Sequence, residues 1–438
     1  MFIKSQNIAL LGLGQENRAL LSWLFKHGYR GKITICDKRP LAQLTDIITA
    51  DPTLKKYLPQ LHWRLLTDFN KNLEDFEILF RSPGWPLSCP GLKKAIKKGS
   101  TATSAMEFFF AACPSKNTIG VSGSKGKGTT ASLLTAILKQ SGKKTWLGGN
   151  IGIAPFLFFD KIKQDDWVIM ELSSFQLEDL RVGPRYAVIT NLFKEHLSPA
   201  DPLNPNYHKS YSAYWQAKLK IAQHSNNKIL VINEKLKSKL NQKNLPGKVI
   251  FFSASPLPSR LQGIYNQENI GAAVALSKFL KIPAHHYQKA IRDFKNLEHR
   301  LEFVIEKDGI KYFDNSFSTT PESTALDLVS FQSPIIQIAG GADKGANFLP
   351  LARIISKKVK TLILLDGLAT PRLLSSVKQA GLDEKKIYSA SSMEQALNIA
   401  RQQASKGDIV LLSTACASFG LFKNYKERGD QFKYYAKL

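Results

Sequence analysis

The segment Gly120–Leu134, which reads GVSGSKGKGTTASLL, constrains the fold more than any other part of this chain. Its first part, with the two preceding residues, reads TIGVSG and is suited to a strand, and its last part begins a helical pattern of apolar residues at Leu133, Leu134, Ile137 and Leu138. Glycines between a strand and a helix N-terminus let backbone N–H groups converge on a phosphate. The strict phosphate-loop pattern fails, because Val121 stands where a glycine belongs and Gly128 where a hydroxyl residue belongs. We therefore expect a variant phosphate loop in preference to a flexible turn.

The loop supplies side chains that a nucleotide triphosphate needs. Lys127 is placed to reach the outer phosphates, and Thr129 or Thr130 to bind magnesium from the first helical turn. Further ligands are expected where neighbouring strands end: Glu171 follows WVIM, and His196 follows AVITNLFKE. A lone glutamate at a strand end is often only solvated, and a lone histidine is usually structural. Two polar strand ends beside a phosphate loop favour a functional site.

Strands and helices alternate along nearly the whole chain, which indicates parallel sheets covered by helices. For 438 residues, two or three domains of roughly 100–200 residues are expected. Three segments each begin with a strand and a glycine turn, which predicts domains at 1–105, 106–297 and 298–438. The predicted fold is α/β, with a Rossmann-like N-terminal domain, a central phosphate-loop ATPase-type domain with a parallel sheet, and a Rossmann-like C-terminal domain.

The first domain opens with NIALLGLG, which is typical of a strand followed by a glycine turn. The pair Gly12 and Gly14 lacks the third glycine of a dinucleotide fingerprint, so a nucleotide site and a simple tight turn fit it equally well. Asp37 closes the second strand, and Gly28 fits the end of the first helix.

The formal net charge of +26 raises nucleic acid as a partner. The lysines are scattered, however, as in GLKKAIKKGS and ISKKVKTL, and no basic block alternates with aromatic residues. We expect a solvated lysine-rich surface, some attraction for polyanionic small molecules, and no nucleic-acid partner. No apolar run approaches the ~20 residues of a membrane span, and the four widely spaced cysteines fit free thiols in a reducing cytoplasm. We expect a cytoplasmic monomer that is not inserted in a membrane.

Further motifs lie along most of the chain, at 148–152 (GGNIG), 171–178 (ELSSFQLE), 214–221 (YWQAKLKI), 263–276 (GIYNQENIGAAVAL), 297–304 (LEHRLEFV), 340–348 (GGADKGANF) and 415–425 (ACASFGLFKNY). Together with the loop GSKGKGTT, these motifs resemble, in the same order, those of the Mur ligase family. ELSSFQLE and the C-terminal segment are similar to the glutamate-adding members of that family.

The resemblance implies an ATP-dependent amide ligase of peptidoglycan precursor synthesis. The carboxylate of UDP-N-acetylmuramoyl-L-alanine would attack the γ-phosphate of ATP, and the amine of glutamate, most simply D-glutamate, would then attack the acyl phosphate. The implied catalytic residues are Lys127, Glu171, His196 and Lys218. Two magnesium ions are implied, with ligands Thr129, Glu171, His196 and Lys218, the last as a carbamate. The implied ATP-binding residues are Gly123, Ser124, Lys125, Gly126, Lys127, Gly128, Thr129, Thr130, Asn269, Arg300 and Asn315.

The same resemblance assigns the two other substrates. The implied residues for uridine and its diphosphate are Gly14, Gln15, Asp37, Lys38, Arg39, Ser82 and Gly84. The sugar–peptide part would lie against Asn150, Ser173 and Gln176, and the incoming amino acid against Lys344, Ser418 and Tyr425.

The stretch DNSFSTT departs from the family pattern. Phe317 stands where the family carries a lysine that grips a glutamate carboxylate, and Asn315 stands where an aspartate is usual. Three alternatives therefore stay open. The acceptor could be L-glutamate or another amino acid. The glycine after the lysine in GKGTT also appears in the folylpolyglutamate synthases, so a ligase of that type is the second alternative. A nucleic-acid-stimulated ATPase would account for the charge.

Overall fold

The computed structural model of the protein describes residues 6–197, 205–343 and 345–438. The chain forms two compact units. The first unit comprises Met1–Ser253 and Gly271–Ala290 and contains two sheets, and the second comprises Ala254–Ile270 and Ile291–Leu438 and contains one. Within the described ranges, no helix is long and apolar enough to cross a membrane.

The N-terminal sheet is formed by β1 (Ile8–Leu11), β2 (Ile33–Asp37), β3 (Leu61–Leu65), β4 (Ile78–Arg81) and β5 (Thr101–Thr103). Its helices are α1 (Gln15–Lys26), α2 (Leu41–Thr49), α3 (Pro52–Lys55), α4 (Pro90–Lys97) and α5 (Ala105–Ala112). All strands are parallel, in the order β3-β2-β1-β4-β5. Since the chain order reverses between β1 and β4, the loops after these strands open a crevice at the carboxyl edge.

The central sheet is formed by β6 (Asn117–Ser122), β7 (Thr145–Gly149), β8 (Trp167–Glu171), β9 (Tyr186–Ile189), β10 (Ile229–Asn233) and β11 (Lys248–Phe252). The helices of this part are α6 (Lys127–Gln140), α7 (Ser174–Leu177) and α8 (Tyr211–Leu219). The strands are parallel, in the order β11-β10-β9-β6-β8-β7. The loop after β6 therefore lies between the ends of β8 and β9.

Two helices, α9 (Ile264–Phe279) and α10 (Ala284–Asp293), precede the third sheet. That sheet consists of β12 (Glu302–Lys307), β13 (Ile310–Asp314), β14 (Ile335–Ala339), β15 (Val359–Leu365), β16 (Ile387–Ala390) and β17 (Ile409–Leu412). Its helices are α11 (Pro321–Leu328), α12 (Leu349–Lys358), α13 (Thr370–Gln379), α14 (Met393–Gln403) and α15 (Tyr425–Lys437). The order is β12-β13-β17-β14-β15-β16, parallel apart from the β12–β13 hairpin.

One apolar core is shared by the two sheets of the first unit. The ring of Trp23 on α1 lies 5.9 Å from Phe108 on α5 and 5.3 Å from Phe156, which follows β7. Aromatic rings bury large apolar areas, so this cluster contributes to the packing between the N-terminal and central sheets. The predicted α/β fold, with three domains and parallel sheets, is confirmed. The exact domain boundaries stay predictions.

Candidate active site

The glycine-rich segment predicted to bind phosphate forms a tight loop between β6 and α6. Gly123 (φ +143°) and Gly126 (φ +80°) adopt backbone angles that favour glycine, and α6 begins at Lys127. The loop is held by the end of β9. The backbone N–H of Ser124 donates to the carbonyl of Asn191 (3.0 Å), and that of Lys125 to the side-chain oxygen of Asn191 (2.8 Å). The loop is therefore rigidly placed at the helix N-terminus.

Two lysine side chains bind the loop, one adjacent to it in the sequence and one from α8. Lys127 Nζ donates to the carbonyls of Gly123 and Ser124, each at 2.9 Å. Lys218 Nζ, on α8, donates to the same Gly123 carbonyl at 2.9 Å. These contacts concentrate positive charge at the loop, where the phosphates of a nucleotide would need it.

Lys218 is 1% exposed, and its Nζ lies 4.5 Å from the centre of the Tyr214 ring. Burial and the nearby charge of Lys127 hold the pKa of Lys218 well below the usual lysine range, although Glu195 and Glu171 oppose this effect. The amine of Lys218 therefore loses its proton more readily than an ordinary lysine, and an uncharged amine is a nucleophile.

Glu195 faces the loop from the segment after β9. Tyr214 Oη donates to Glu195 Oε1 (2.6 Å) and exchanges a hydrogen bond with Ser124 Oγ (2.8 Å), and Lys125 Nζ lies 3.6 Å from Glu195 Oε2. Burial alone would raise the pKa of Glu195, but the charges of Lys125 and Lys127 lower it to about 2. Glu195 is therefore ionised and partly balances the lysines.

Glu171 ends β8 beside the loop and is 1% exposed. Its Oε1 accepts a hydrogen bond from Asn150 Nδ2 at 2.8 Å, whereas its Oε2 is buried with no hydrogen-bond partner among the described residues. Thr130 Oγ1, in the first turn of α6, is also buried and has no hydrogen-bond partner among the residues that the structure describes. Two such oxygens fit a magnesium site, because this ion prefers oxygen ligands. Thr129 is also buried.

His196 has left-handed backbone angles (φ +58°) and lies next to Glu195. Its ring is 5.1 Å from Phe175 and 6.1 Å from Tyr214, and its side chain is 46% exposed. The structure thus brings His196 to the same edge as Lys218, with a face that is open for a ligand.

A cavity of about 510 Å³ opens at the carboxyl edge of the N-terminal sheet. It is lined by the predicted residues Gly14, Gln15, Asp37, Lys38, Arg39, Ser82, Gly84 and Asn150. Ser173 and Gln176 instead cap α7: Ser173 Oγ accepts from the Gln176 backbone, and Gln176 Oε1 accepts from the Ser173 backbone. The side-chain amide of Gln176 also donates to Glu16, a cavity residue that the sequence analysis does not include.

Asp37 is committed to shaping the cavity wall. Its carboxylate accepts from the backbone N–H of Leu13 at 2.8 Å and from Arg39 Nε at 2.9 Å and Nη2 at 2.6 Å. Burial alone would raise the pKa of Asp37, but these hydrogen bonds lower it below the usual range. The carboxylate thereby fixes the glycine turn after β1 and holds Arg39 at the rim.

In the second unit, the DNSFSTT stretch follows β13. Asn315 Nδ2 donates to Asp327 at 2.7 Å, and the guanidinium of Arg300 lies 3.7 Å from the centre of the Phe317 ring. Tyr425 meets the edge of Phe317 at 5.1 Å. The predicted residues Arg300 and Tyr425 thus both contact Phe317, which is 40% exposed, whereas Asn315 is directed to Asp327.

The two other predicted residues of this unit that the structure describes are buried. Asn269 Nδ2 donates to Asn266 Oδ1 at 3.0 Å, and Ser418 is 5% exposed. Lys344, predicted at the amino-acid end, lies outside the described residues.

Sequence reasoning misses several residues of these sites. Tyr214 lies four residues before Lys218 on α8, so helical spacing could have indicated it. Arg81 and Glu16 carry no local signal, because their partners are 98 and 160 residues away in the chain. Arg428, fully buried, donates to the Ser316 carbonyl at 2.8 Å and supports the loop after β13.

These features define the class of the protein: an α/β chain with three sheets, a variant phosphate loop and a crevice at the N-terminal sheet. Two family models match it. The Mur ligase middle domain matches residues 121–269, and the Mur ligase, glutamate ligase domain matches residues 299–416. A UDP-N-acetylmuramoylalanine–D-glutamate ligase of Clostridium perfringens is 34% identical over 462 residues, which cover 99% of this chain and 96% of that relative. The chain therefore belongs to the Mur ligase family, and the predicted resemblance is confirmed.

Solved structures support the fold. The MurF ligase from Thermotoga maritima in complex with ADP has a TM-score of 0.59 and 14% identity, and the match covers 99% of this chain and 96% of that one. The folylpolyglutamate synthase of Mycobacterium tuberculosis, complexed with ADP and AMPPCP, has a TM-score of 0.57 and 11% identity and covers 75% of this chain and 94% of its own. At these identities the likeness concerns the fold alone.

Proposed function

We propose that the protein is an ATP-dependent ligase that joins D-glutamate to UDP-N-acetylmuramoyl-L-alanine through an acyl phosphate. The observation that carries this proposal is the cluster at the phosphate loop, where Lys127, Lys218 and Glu171 meet Gly123 and its neighbours. The identity of 34% to D-glutamate ligases along the whole chain supports the choice of substrates. Since both the donor and ATP are cytoplasmic metabolites, we place the reaction in the cytoplasm.

The chain's own groups would stabilise the charge that develops during phosphoryl transfer. A carboxylate and a triphosphate repel each other, so a positive site is required where they meet. Lys127, already folded over the loop, would turn its ammonium group from the Gly123 and Ser124 carbonyls to the outer phosphates. Backbone N–H groups at the start of α6 would hold the same phosphates.

Magnesium fits the residues beside the loop, where Glu171 Oε2 and Thr130 Oγ1 are buried oxygens in need of a partner. We propose two ions, held by Glu171, His196, Lys218 as a carbamate, and Thr129 or Thr130. They would supply positive charge to the transferring phosphoryl group and the donor carboxylate. Thr130 is the alternative to Thr129, the residue expected from the family resemblance, because Thr130 Oγ1 has no hydrogen-bond partner among the described residues.

A carbamate on Lys218 is the finer part of this proposal. Carbamate formation needs an uncharged amine and carbon dioxide, and the buried position of Lys218 favours the uncharged form. The product is an anionic oxygen donor at a place where three lysines otherwise accumulate charge. That exchange of a cation for an anion would also relieve the repulsion among Lys125, Lys127 and Lys218.

The cavity of the N-terminal sheet would bind the UDP part of the donor. Its lining combines glycine turns, which allow close approach of the backbone, with Lys38 and Arg39. Asn150 lines this cavity and also binds Glu171, so it would connect the nucleotide-sugar site to the metal site. A volume of about 510 Å³ is in the range of a typical ligand pocket.

The acceptor is the least constrained of the substrates, because Phe317 cannot form an ion pair. D-glutamate remains the proposed acceptor, and L-glutamate is the second candidate. A folylpolyglutamate synthase-like activity is disfavoured, since the curated relative that matches 99% of this chain is a D-glutamate ligase.

The test is phosphate release from ATP with UDP-N-acetylmuramoyl-L-alanine and either D- or L-glutamate, with the product mass determined. We expect turnover with D-glutamate and a product heavier by one glutamate residue. Turnover with L-glutamate alone would keep the ligase and change the acceptor. Absence of turnover and of binding to the UDP substrate would contradict the proposal.

A further inference from the structure

Glu16 lies in the wall of the cavity, at the second position of α1. Its Oε1 accepts a hydrogen bond from the side-chain amide of Gln176, which is fixed in the cap of α7. The carboxyl group is therefore held in place from the central part of the chain.

Among the described residues, the negative charge of an ionised Glu16 would have no cation of its own to balance it. Arg81, 1% exposed, lies close enough to interact with it, but its guanidinium is held by Asp179, at 2.7 Å and 2.9 Å, and approached by Glu178 at 3.3 Å. Two carboxylates thus already balance this one cation. Across the cavity, Asp37 is paired with Arg39, and Lys38 Nζ lies over the Phe69 ring at 5.4 Å.

The environment accordingly disfavours an ionised carboxylate at this position. Burial raises the pKa of Glu16 to about 7; the bond from Gln176 and the charge of Arg81 lower it, and Asp179 raises it again. Near neutral pH, Glu16 therefore exchanges between a form that donates a hydrogen bond and a form that carries a negative charge.

We propose that Glu16 binds the donor substrate in its protonated form, its hydroxyl donating to an oxygen of the nucleoside diphosphate-sugar while Oε1 accepts from Gln176. The inference rests on the proposed function of the cavity. A diphosphate brings negative charge into this space, so an ionised Glu16 would repel it, whereas a neutral carboxyl adds a donor. The affinity for the donor substrate would thus depend on pH, because Glu16 in the cavity wall gains or loses a proton.

The sign of the effect follows from this requirement. As pH rises past neutrality, the protonated fraction of Glu16 falls by about tenfold per pH unit. The dissociation constant for the donor should therefore increase by roughly tenfold or more between pH 6 and pH 8.5. The diphosphate diester of the substrate has no proton to lose over this range. The change in the dissociation constant would therefore come from a group of the protein.

The experiment is isothermal titration of the full chain with UDP-N-acetylmuramoyl-L-alanine, without ATP, at pH 6, 7 and 8.5. Glu16→Gln keeps a hydrogen-bond donor and removes the titration, so its dissociation constant should be nearly constant across this range. Glu234→Gln, an exposed change outside the cavity, should behave as the wild type. Thermal melts of each variant would show that it is folded.

A second variant tests the role of the fixed amide. Gln176→Ala removes the hydrogen bond that lowers the pKa of Glu16, so the pH dependence should move to higher pH. Equal wild-type affinity at all three pH values, or the same pH dependence in Glu16→Gln, would overturn the inference and leave the ligase proposal intact. Failure of the wild type to bind the donor at any pH would overturn both.

Discussion

Lys218 shows how one buried residue can be prepared for modification by its surroundings. Lys218 is 1% exposed and lies near the charges of Lys127 and Lys125, so protonation of its amine adds a third positive charge to a buried site. The same amine reaches the Gly123 carbonyl of the phosphate loop. A modification that replaces the ammonium with an anion is thus favoured electrostatically, and it can be tested at this residue.

Lys218→Arg should abolish most of the ligase activity, because a guanidinium cannot form the carbamate and stays charged. We expect a fall in kcat of about 10- to 100-fold, the range seen when groups that tune a metal site are lost. Binding of the UDP substrate should be retained. Steady-state kinetics and ¹³C NMR with labelled bicarbonate would measure the two effects. Lys194→Arg, an exposed change, is the control, and wild-type activity in Lys218→Arg would refute the carbamate.

Glu195→Gln should destabilise the protein in a pH-dependent way. Despite burial, Lys125 and Lys127 lower the pKa of Glu195 from 4.5 to about 2, which corresponds to on the order of 3 kcal/mol of stability at neutral pH. A lowered carboxyl pKa contributes stability above pH 4.5 and loses it as pH falls towards 2. Urea unfolding of both proteins should therefore show a gap at pH 7 that narrows below pH 4.5. A gap independent of pH would contradict this.

Phe317 provides a flat face for Arg300, in place of the cation that the family usually has at this position. A guanidinium 3.7 Å from a ring centre is stabilised by about 0.5–1 kcal/mol at an exposed site. Phe317→Leu should therefore raise KM for the substrate that Arg300 contacts by roughly two- to fivefold. Phe317→Tyr keeps the ring and should change little. Measuring KM for ATP and for glutamate separately would identify that substrate; no change in either would exclude this role.

At the scale of elements, the β6–loop–α6 unit was predictable because its signals are local. Glycines at Gly123 and Gly126, a basic residue and a helical apolar stripe are adjacent in the chain. By contrast, β7 (TWLGG) is short and glycine-rich, and its extended shape depends on pairing with β8. The antiparallel β12–β13 hairpin was likewise not anticipated within a Rossmann-like domain. Its turn, at Asp308 and Gly309, has positive φ angles at both positions.

The polar connections between elements were beyond local reasoning. Arg81 at the end of β4 binds Asp179 after α7, and Gln176 binds Glu16, so both pairs join the N-terminal and central sheets. Charge and polarity in the sequence give no indication of which residues will pair over such separations. The predicted cavity residues, in contrast, came from the resemblance to the Mur ligase family, and they lie together because a parallel sheet brings its strand ends to one edge.

Gly123→Ala should distort the phosphate loop and prevent it from binding a nucleotide. A Cβ at Gly123 would lie 1.9 Å from Thr190 Oγ1, and φ is +143°, so the loop would have to leave the end of β9. Gly142→Ala, at the other end of α6, has a φ of +76° but open space around the added carbon. We expect both to lose about 1 kcal/mol through backbone strain, and only Gly123→Ala to lose nucleotide binding. Equal nucleotide affinity in the two variants would show that the close approach to Thr190 is unimportant.

At the scale of the whole molecule, the net charge of +26 is the feature that the fold does not explain. All substrates of the proposed reaction are anions, and a positive field raises their local concentration. The lysines are scattered through the sequence, so the expected effect is a general attraction rather than a nucleic-acid site. Duplex DNA should accordingly leave ATP turnover unchanged.

The association rate of the UDP substrate should fall as ionic strength rises. Salt shortens the range of electrostatic attraction from about 10 Å at 0.1 M to about 3 Å at 1 M, so steering weakens while contacts inside the cavity persist. We expect a decrease of roughly three- to tenfold between these conditions. Stopped-flow fluorescence of Trp85, which lines the cavity, would report the rate. Neutral uridine is the matched control and should associate at a rate independent of salt. If the association rates of uridine and of the UDP substrate depended on salt in the same way, the surface charge would have no role in capturing the substrate.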